Sequence, residues 1–361
     1  MRSLVPCTCR SSCACIRTRT RTRTQRSGTR SLVFEYEYEY HRKRLSTSTS
    51  TSTKVPQSNL TFPVVFRLPL ALRLYATQNM PLKLNRLCIH TATTKPWSLE
   101  QCLAEYPKQG VTGISIWRQA IEGRDLNVVK RQVNDAGLEV VSLCRGGFFA
   151  AASNAGRQSA IDDNLWAIDQ ANAIGSTMVV LVCGAVPSQS LIESRQQITD
   201  GIAAILPAAK SAGVKLAIEP LHPMYCDERS AVNTMRQANA ICDSLGSPDH
   251  LGIAVDTYHV WWDPELEEQL AAAGRAKRLF AFHICDWKTP TTDLLNDRGL
   301  MGEGCINIQE ISDWVDATGF TGHREVEVFS NQWWAADQHD FLKQIIASYI
   351  ELFASEAKAK P

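Results

Sequence analysis

From Leu84 onward, short apolar runs alternate with longer stretches of helical periodicity, and the pattern repeats eight times. This alternation predicts a parallel α/β protein, because each helix returns the chain to start the next strand in the same direction. The predicted strands are Arg86–His90, Gly113–Trp117, Glu139–Cys144, Met178–Cys183, Lys215–Glu219, Gly252–Asp256, Leu279–His283 and Arg324–Phe329. The predicted helices are Ser98–Lys108, Leu126–Ala136, Ile161–Ile174, Ser190–Ala212, Ala231–Leu245, Glu265–Ala272, Ile308–Ala317 and His339–Ala354.

Eight βα units in about 280 residues have the size of a (β/α)₈ TIM barrel. Five glycines stand where a predicted helix should stop: Gly137, Gly175, Gly213, Gly246 and Gly319. The alternative, a doubly wound open sheet, usually carries a glycine-rich nucleotide turn after an early strand, and the nearest candidate, Arg145-Gly146-Gly147, lacks the spacing. We therefore predict an α/β fold of the (β/α)₈ class.

The first 79 residues differ from the rest in charge and complexity. They carry 14 Lys/Arg and 3 acids, whereas residues 80–361 carry 24 and 34. Arg-Thr, Glu-Tyr and Ser-Thr repeats occupy much of this segment, and no face of it is apolar enough to bury. We predict a disordered, basic, low-complexity segment at 1–79 and a barrel domain at 80–361.

Two interpretations of residues 1–79 stay open. The Arg-, Ser- and Thr-rich composition, with no acid before Glu35, is typical of a mitochondrial targeting segment, which would place the barrel in the matrix. Pro63 and Pro69, however, would interrupt an amphipathic helix in the apolar stretch from Phe62 to Tyr75. Alternatively, translation starts at Met80, and the protein is then cytoplasmic.

Charge and hydropathy argue against two classes of partner. No run of about 18 uncharged apolar residues is present, so no membrane-spanning helix is predicted. The net charge of −10 on residues 80–361 disfavours binding to a phosphate backbone. We therefore expect neither a membrane nor a nucleic acid as partner.

Polar residues end four consecutive predicted strands. Glu219 ends the fifth, Asp256 the sixth and His283 the seventh, while the eighth offers Glu325 or Glu327, which alternation sends to the same side. A barrel brings these ends together at one rim, where chemistry is found in this fold. Converging carboxylates repel, and a divalent cation bound by three of them and one imidazole removes that difficulty. The oxygen-rich set suits Mn²⁺, Mg²⁺ or Co²⁺ better than a structural zinc.

The motifs at these ends resemble those of the xylose isomerase-like superfamily, within it the ketose 3-epimerases, hydroxypyruvate isomerases and inosose dehydratases. The matching segments are Glu219-Pro220-Leu221, Asp256-Thr257-Tyr258-His259, His283, Arg298 to Gly304, and Glu327-Val328-Phe329. The resemblance implies one divalent ion, Mn²⁺ first with Mg²⁺, Co²⁺ or Zn²⁺ as alternatives, held by Glu219, Asp256, His283 and Glu327. It also implies that His259 and Arg298 contact substrate oxygens.

Further residues are expected near the substrate. His222 stands in the loop after the fifth strand, where the epimerases carry an extra acid, and Trp287 is one of seven tryptophans in the βα loops. We predict that both contact a small carbohydrate, since aromatic faces pack on sugar C–H groups, although packing of the rim explains the tryptophans equally well. Asp286 is expected beside His283 or Arg298. Four other residues near the rim are candidates for a carboxylate or phosphate: His90, Arg118, Arg145 and Lys288.

The resemblance implies an isomerase or epimerase in which Glu219 and Glu327 take and return a proton through a metal-stabilised enediolate. Loss of a β-hydroxyl instead would make the protein a dehydratase of the inosose or dehydroshikimate type. An endonuclease IV-type nuclease would need further histidines where Trp117 and Cys144-Arg145 stand. A non-catalytic binding barrel is the remaining alternative. Association into homo-oligomers through the outer helices is compatible with this fold, but no interface stripe is evident.

Overall fold

The computed structural model describes residues 84–353. The predictions for residues 1–79, namely disorder and either a targeting function or a start at Met80, lie outside the described residues. So does the predicted domain boundary at residue 80. Within residues 84–353, no helix combines the length and the apolar character needed to cross a bilayer.

Eight parallel strands close into a barrel in the order β1-β10-β7-β6-β5-β4-β3-β2. These strands are β1 (Leu87–His90), β2 (Gly113–Trp117), β3 (Glu139–Gly147), β4 (Met178–Val182), β5 (Lys215–Glu219), β6 (Leu251–Asp256), β7 (Leu279–Ile284) and β10 (Arg324–Val326). A separate antiparallel pair, β8 (Asp286–Trp287) with β9 (Arg298–Gly299), follows β7. The predicted TIM barrel is confirmed.

Helices cover the outside of the barrel and fill two of its loops. They are α1 (Leu99–Glu105), α2 (Leu126–Asp135), α3 (Asn154–Ile174), α4 (Leu191–Ala212), α5 (Met235–Ser244), α6 (Thr257–Val260), α7 (Leu266–Arg275), α8 (Ile308–Ala317), α9 (Asn331–Ala335) and α10 (Gln338–Phe353). The five glycines expected to end helices all have a positive φ, between 68° and 87°. This backbone conformation strains residues that carry a Cβ, so the glycines fix where each helix gives way to the next strand.

Capping residues set several helix starts that periodicity places elsewhere. Ser153 accepts a hydrogen bond from Gly156 N, so α3 begins seven residues earlier than predicted. Thr234 accepts from Gln237 N, and α5 therefore begins four residues later than predicted. Short hydroxyl side chains satisfy the otherwise unpaired amides of a first helical turn, which explains both shifts.

The last barrel strand is shorter than predicted. It ends at Val326 rather than at Phe329, because Val328 N donates to the Thr93 hydroxyl instead of to a strand carbonyl. Phe329 in turn accepts a hydrogen bond through its carbonyl oxygen from Arg298 N. Glu327 thus lies one residue past β10, at the rim of the barrel.

The barrel interior is divided between small apolar and polar side chains. Ala217, Ala254 and Ala281, from β5, β6 and β7, are fully buried there. Ser115 and Ser142, from β2 and β3, are buried and bonded to Glu325 of β10. Small residues inside the strands leave room for the longer side chains that end them, and these form the site.

Candidate metal centre

Four polar side chains meet at the carboxyl ends of consecutive barrel strands. They are Glu219, Asp256, His283 and Glu327, and one ligand atom of each lies within 4.8 Å of the corresponding atoms of the others. All four are buried. The convergence expected from the sequence is therefore present, and in the described structure Glu327 rather than Glu325 completes this group of four.

Hydrogen bonds and charges hold these four groups in place. His283 Nδ1 lies 2.9 Å from Glu219 Oε1, and Asp256 Oδ1 accepts from Tyr258 N at 2.8 Å. Burial, together with the charges of Glu327 and Glu219, raises the pKa of Asp256 to about 7 even though Arg298 opposes the shift. Burial alone lowers the pKa of His283, but the Glu325 charge and the Glu219 hydrogen bond raise it to about 10.

Glu325 lies on the same inner face as Glu327, one layer deeper in the barrel. Its Oε2 accepts hydrogen bonds from Ser115 at 2.5 Å and from Ser142 at 3.1 Å. The same oxygen lies 3.3 Å from His90 Nε2 and 3.8 Å from His283 Nε2. Alternation along the strand predicted that Glu325 and Glu327 lie on the same side, and they do. They differ in how deep they lie in the barrel.

His90 belongs to this cluster and not to the rim, where it was expected as an anion-binding candidate. Its Nδ1 lies 3.0 Å from Glu327 Oε1, and its ring packs edge-on against His283 at 4.7 Å between centroids. Burial alone lowers the pKa of His90, but the nearby Glu327 and Glu325 raise it to about 10. His90 ends β1. The criterion that identified the other four residues was a polar side chain at the end of a predicted strand, and it also identifies His90.

Arg298 reaches the cluster from β9. Its Nη1 donates to Asp256 Oδ2 and to Glu327 Oε2, both at 2.9 Å, and its Nη2 lies 3.2 Å from His259 Nε2. The coulombic effect of His90 and Arg298 holds the pKa of Glu327 well below its usual range, against the effect of burial. The guanidinium therefore offsets part of the negative charge of the converging carboxylates.

Asp286 holds the loop that follows Arg298. Its Oδ2 accepts from Gly302 N and Gly304 N, and its Oδ1 from Trp287 N and Ile306 N, all between 2.8 and 3.0 Å. Asp286 was expected beside His283 or Arg298; it lies on β8, which pairs with the strand that carries Arg298. The Asp286 carboxylate accepts hydrogen bonds from four backbone amides, because Asp286 lies on the short β8–β9 pair against which this loop folds.

A cavity of about 700 Å³ opens above the cluster. Glu219 and Glu327 line it, together with His259 and Arg298, two residues predicted to contact substrate. Its aromatic lining consists of Trp97, Trp117, Tyr225, Phe329 and Trp334. The volume is that of a site for a small molecule.

The structure does not bring His222 and Trp287 to this cavity. Their rings pack against each other at 4.9 Å between centroids, and Trp287 also stacks on Tyr258 at 4.6 Å. The backbone N–H of His222 donates to His259 Nδ1 at 3.3 Å, so this loop helps to hold the His259 ring. The aromatic surface of the cavity comes instead from the three tryptophans, one tyrosine and one phenylalanine named above.

The donor set fits a hard divalent cation. One imidazole nitrogen and three carboxylates are close enough to share an ion, and oxygen-rich sets of this kind are typical of Mn²⁺, Mg²⁺ and related metals. A second close group, His90 with His283 and Glu327, shares two residues with the first. The residues present are therefore compatible with a metal at the base of the cavity.

Comparison with known proteins places the chain in a family. Residues 103–345 match the family model of the xylose isomerase-like TIM barrel. The chain belongs to this family. This xylose isomerase-like barrel is 24% identical to an inosose isomerase of Halalkalibacterium halodurans over 277 residues, which cover 74% of this chain and 96% of the relative. An L-ribulose 3-epimerase of Mesorhizobium japonicum is 28% identical over 134 residues, or 37% of this chain and 40% of the relative.

Solved structures agree with the family assignment. A Sinorhizobium meliloti protein, SMc04130, has 42% sequence identity and a TM-score of 0.72, covering 75% of this chain and 99% of its own. The IOLI protein with a bound zinc atom has a TM-score of 0.67 at 21% identity, covering 75% of this chain and 98% of its own, and at that identity it shows the fold alone. The resemblance seen in the sequence motifs is thus confirmed at the level of family and fold.

Proposed function

We propose that this xylose isomerase-like barrel is a divalent-metal-dependent isomerase or epimerase that moves a proton on a small keto-sugar or sugar-derived substrate. The observation that carries the proposal is the pair of buried carboxylates, Glu219 and Glu327, which line one cavity beside Asp256 and His283. The two curated relatives, an inosose isomerase and an L-ribulose 3-epimerase, support the reaction class.

Glu219, Asp256, His283 and Glu327 would hold one divalent ion, with Mn²⁺ preferred over Mg²⁺, Co²⁺ or Zn²⁺ for this oxygen-rich set. When bound, the ion would polarise a carbonyl group and stabilise the negative charge that develops beside it. The zinc atom in the IOLI structure supports a metal in this fold without fixing which one this chain uses.

The two glutamates approach the cavity from different parts of the barrel. Glu219 ends β5 and Glu327 follows β10, and two strands separate β5 from β10 in the barrel order. One carboxylate takes the proton from the carbon next to the carbonyl. The other returns a proton to the opposite face or to the neighbouring carbon, so the substrate is rearranged with no net gain or loss of atoms.

Neighbouring side chains prepare these groups. His90 and Arg298 contact Glu327 and favour its ionised form, which is the form that accepts a proton. Arg298 and His259 line the cavity and would orient substrate oxygens, for which the fixed donors of a guanidinium are suited. Trp117 and Trp334 would cover the apolar face of the substrate.

The proposal is tested by solvent-deuterium exchange in the full chain supplied with Mn²⁺. Ketopentoses, ketohexoses and inososes, each as the neutral compound and with a terminal phosphate or carboxylate where one can be attached, are incubated in D₂O and followed by NMR. We expect deuterium at a carbon next to the carbonyl, together with formation of an isomer. Glu219→Gln and Glu327→Gln should each lower the rate at least about 100-fold.

The double variant Glu267→Gln/Glu268→Gln, on the exposed face of α7, is the matched control and should exchange at the wild-type rate. If a compound instead loses water and gives an unsaturated product, the protein is a dehydratase that uses the same site, and not an isomerase. If no compound exchanges deuterium, both the isomerase and the dehydratase proposals are contradicted.

A further inference from the structure

Two arginines line the cavity without a partner of opposite charge among the described residues. Arg145 lies near the end of β3, and Arg229 lies in the loop after β5. Their guanidinium carbons lie 4.1 Å from the ring centroid of Phe148 and 5.6 Å from that of Tyr225, respectively. Among residues 84–353, neither guanidinium donates a hydrogen bond or lies within 4 Å of a carboxylate. Partly buried charges are normally paired, so this arrangement calls for an anion from outside the chain.

The other cations expected near the rim are paired. Arg118 donates two hydrogen bonds of 2.8 Å to Asp163, and Lys288 donates to Asp297 at 2.9 Å. Asp163 is the acid whose charge favours the charged form of Arg145, but both of its oxygens are bonded to Arg118. Burial, with repulsion from Arg229 and Arg118, lowers the pKa of Arg145 to about 10. A bound anion would relieve that penalty.

The backbone around Arg145 is built to turn this side chain into the cavity. The register of β3 against β4 shifts between Cys144 and Gly146, so Arg145 is an extra residue in the strand. A bulge of this kind re-aims one side chain near a site. Without it, alternation would send Arg145 to the side opposite Cys144, whose Sγ lies 3.9 Å from His90 Nδ1.

The two glycines after Arg145 allow the bulge to pack. A Cβ at Gly147, where φ is +107°, would lie 1.9 Å from Val182 O. Asn164 of α3 is buried and bonds both backbone groups of Gly147, accepting from N at 2.6 Å and donating to O at 2.7 Å. The Arg145-Gly146-Gly147 segment, which fits no nucleotide-binding turn, is thus explained as the support for one cavity-facing arginine.

Arg229 is also fixed through its backbone. Gly184 N, just past β4, donates to Arg229 O at 2.8 Å, and Ala231 N donates to Gly184 O at 3.0 Å. Arg229 N donates to Tyr225 O, in the same loop. The loops after β4 and β5 are therefore joined, and they hold Arg229 at the same cavity that Arg145 lines.

We propose that Arg145 and Arg229 form a subsite for an oxyanionic group of the substrate, a phosphate ester or a carboxylate. Guanidinium groups match the geometry of both anions. The inference rests on the proposed function, because it assigns the substrate class of the same cavity: an anionic keto-sugar derivative rather than a neutral sugar. The reacting carbons would lie over Glu219 and Glu327, and the anion beside β3.

Binding tests the subsite without any turnover. The full chain, stripped of metal with a chelator, is titrated calorimetrically with inorganic phosphate and with malonate; the tighter of the two indicates which anion the subsite prefers. Arg145→Met and Arg229→Met should each weaken the preferred anion about 10- to 100-fold. Arg236→Met is the control, since Arg236 is exposed on α5 and pairs with Glu265, and it should bind as the wild type does. The subsite would be overturned if neither anion bound detectably to the wild type. It would also be overturned if Arg145→Met and Arg229→Met both bound the preferred anion as tightly as the wild type does.

Turnover separates this inference from the proposed function. Ketoses are compared in three matched forms, as the neutral sugar, the terminal phosphate and the terminal carboxylate, by deuterium exchange. We expect an anionic form to exchange at least about 10-fold faster than the neutral one, and Arg145→Met to abolish that preference through a higher KM. Equal exchange of neutral and anionic forms would overturn the subsite and leave the isomerase intact. If anions bind through the two arginines but no compound exchanges deuterium, the proposed isomerase reaction is contradicted and the anion subsite is supported.

Discussion

His90 Nδ1 lies 3.0 Å from Glu327 Oε1, at the base of the cavity, while the other side of the His90 ring faces Glu325. The His90 imidazole therefore separates two buried carboxylates: Glu325 in β10 and Glu327, the residue that follows β10. The contact joins the first and last strands of the barrel at the point where the proposed proton transfer takes place.

This relationship predicts the effect of removing the imidazole. His90→Phe should lower kcat about 10- to 100-fold with little change in KM, because Glu327 and Glu325 would then face each other without the imidazole between them. His90→Gln, which keeps a polar group there, should recover part of the loss. Steady-state kinetics measure both, with the exposed His339→Gln as control. If His90→Phe kept the kcat of the wild type, the proposed role of His90 in supporting Glu327 would be refuted.

Asp286 should control substrate binding through the loop after Arg298. Asp286→Asn places an amide NH₂ against backbone N–H groups, so we expect a loss of about 2–4 kcal/mol in unfolding free energy and a rise in KM that exceeds the fall in kcat. Thermal denaturation and initial rates report the two effects. Asp313→Asn, on the exposed face of α8, should change neither. Unchanged stability would mean that the four amides do not depend on the carboxylate.

Asp297 gives the stability a dependence on acid pH. Burial alone raises its pKa, but hydrogen bonds from Thr292 and Lys288 lower it from 3.8 to about 2. Because the pKa in the folded state lies below the ordinary value, the stabilisation is complete above about pH 4 and is lost as the pH falls through about 2.

The variant Asp297→Asn should therefore be less stable than the wild type at pH 7, by at most about 2 kcal/mol, since the carboxylate retains some contact with solvent. The difference in Tm should narrow progressively below pH 4. Denaturation of both proteins between pH 7 and pH 2.5 measures it. A difference that stays constant over this range would show that the charge of Asp297 contributes nothing.

The barrel and the meeting of Glu219, Asp256 and His283 follow from local sequence patterns. Apolar runs of four to six residues that alternate with longer helical stretches indicate buried strands, and closing eight of them brings their ends to one rim. The same rule extends to His90, which also ends a strand. Capping by Ser153 and Thr234 moved helix boundaries because hydroxyl hydrogen bonds outweigh weak apolar periodicity.

Other features depend on contacts between distant parts of the chain. The β8–β9 pair, which carries Arg298 to the cluster, forms where Asp286 accepts from amides up to 20 residues away, and no periodicity encodes this. The packing of His222 on Trp287, away from the cavity, depends on how two loops fold over one another. The bulge at Arg145 depends on pairing with β4, so the Arg-Gly-Gly segment alone did not predict the direction of its side chain.

The central claim is that Glu219, Asp256, His283 and Glu327 hold one catalytic divalent ion. Its most direct test is elemental analysis of the purified full chain beside Glu219→Gln/Glu327→Gln, with Glu267→Gln/Glu268→Gln as the matched double control. We predict about one Mn, Mg, Co or Zn per chain in the wild type and the control, and loss of most of it in the site variant. No metal in any of the three proteins, even after addition of Mn²⁺, would contradict the claim. A content near three zinc ions per chain would contradict it as well, and would favour a multinuclear nuclease-like site.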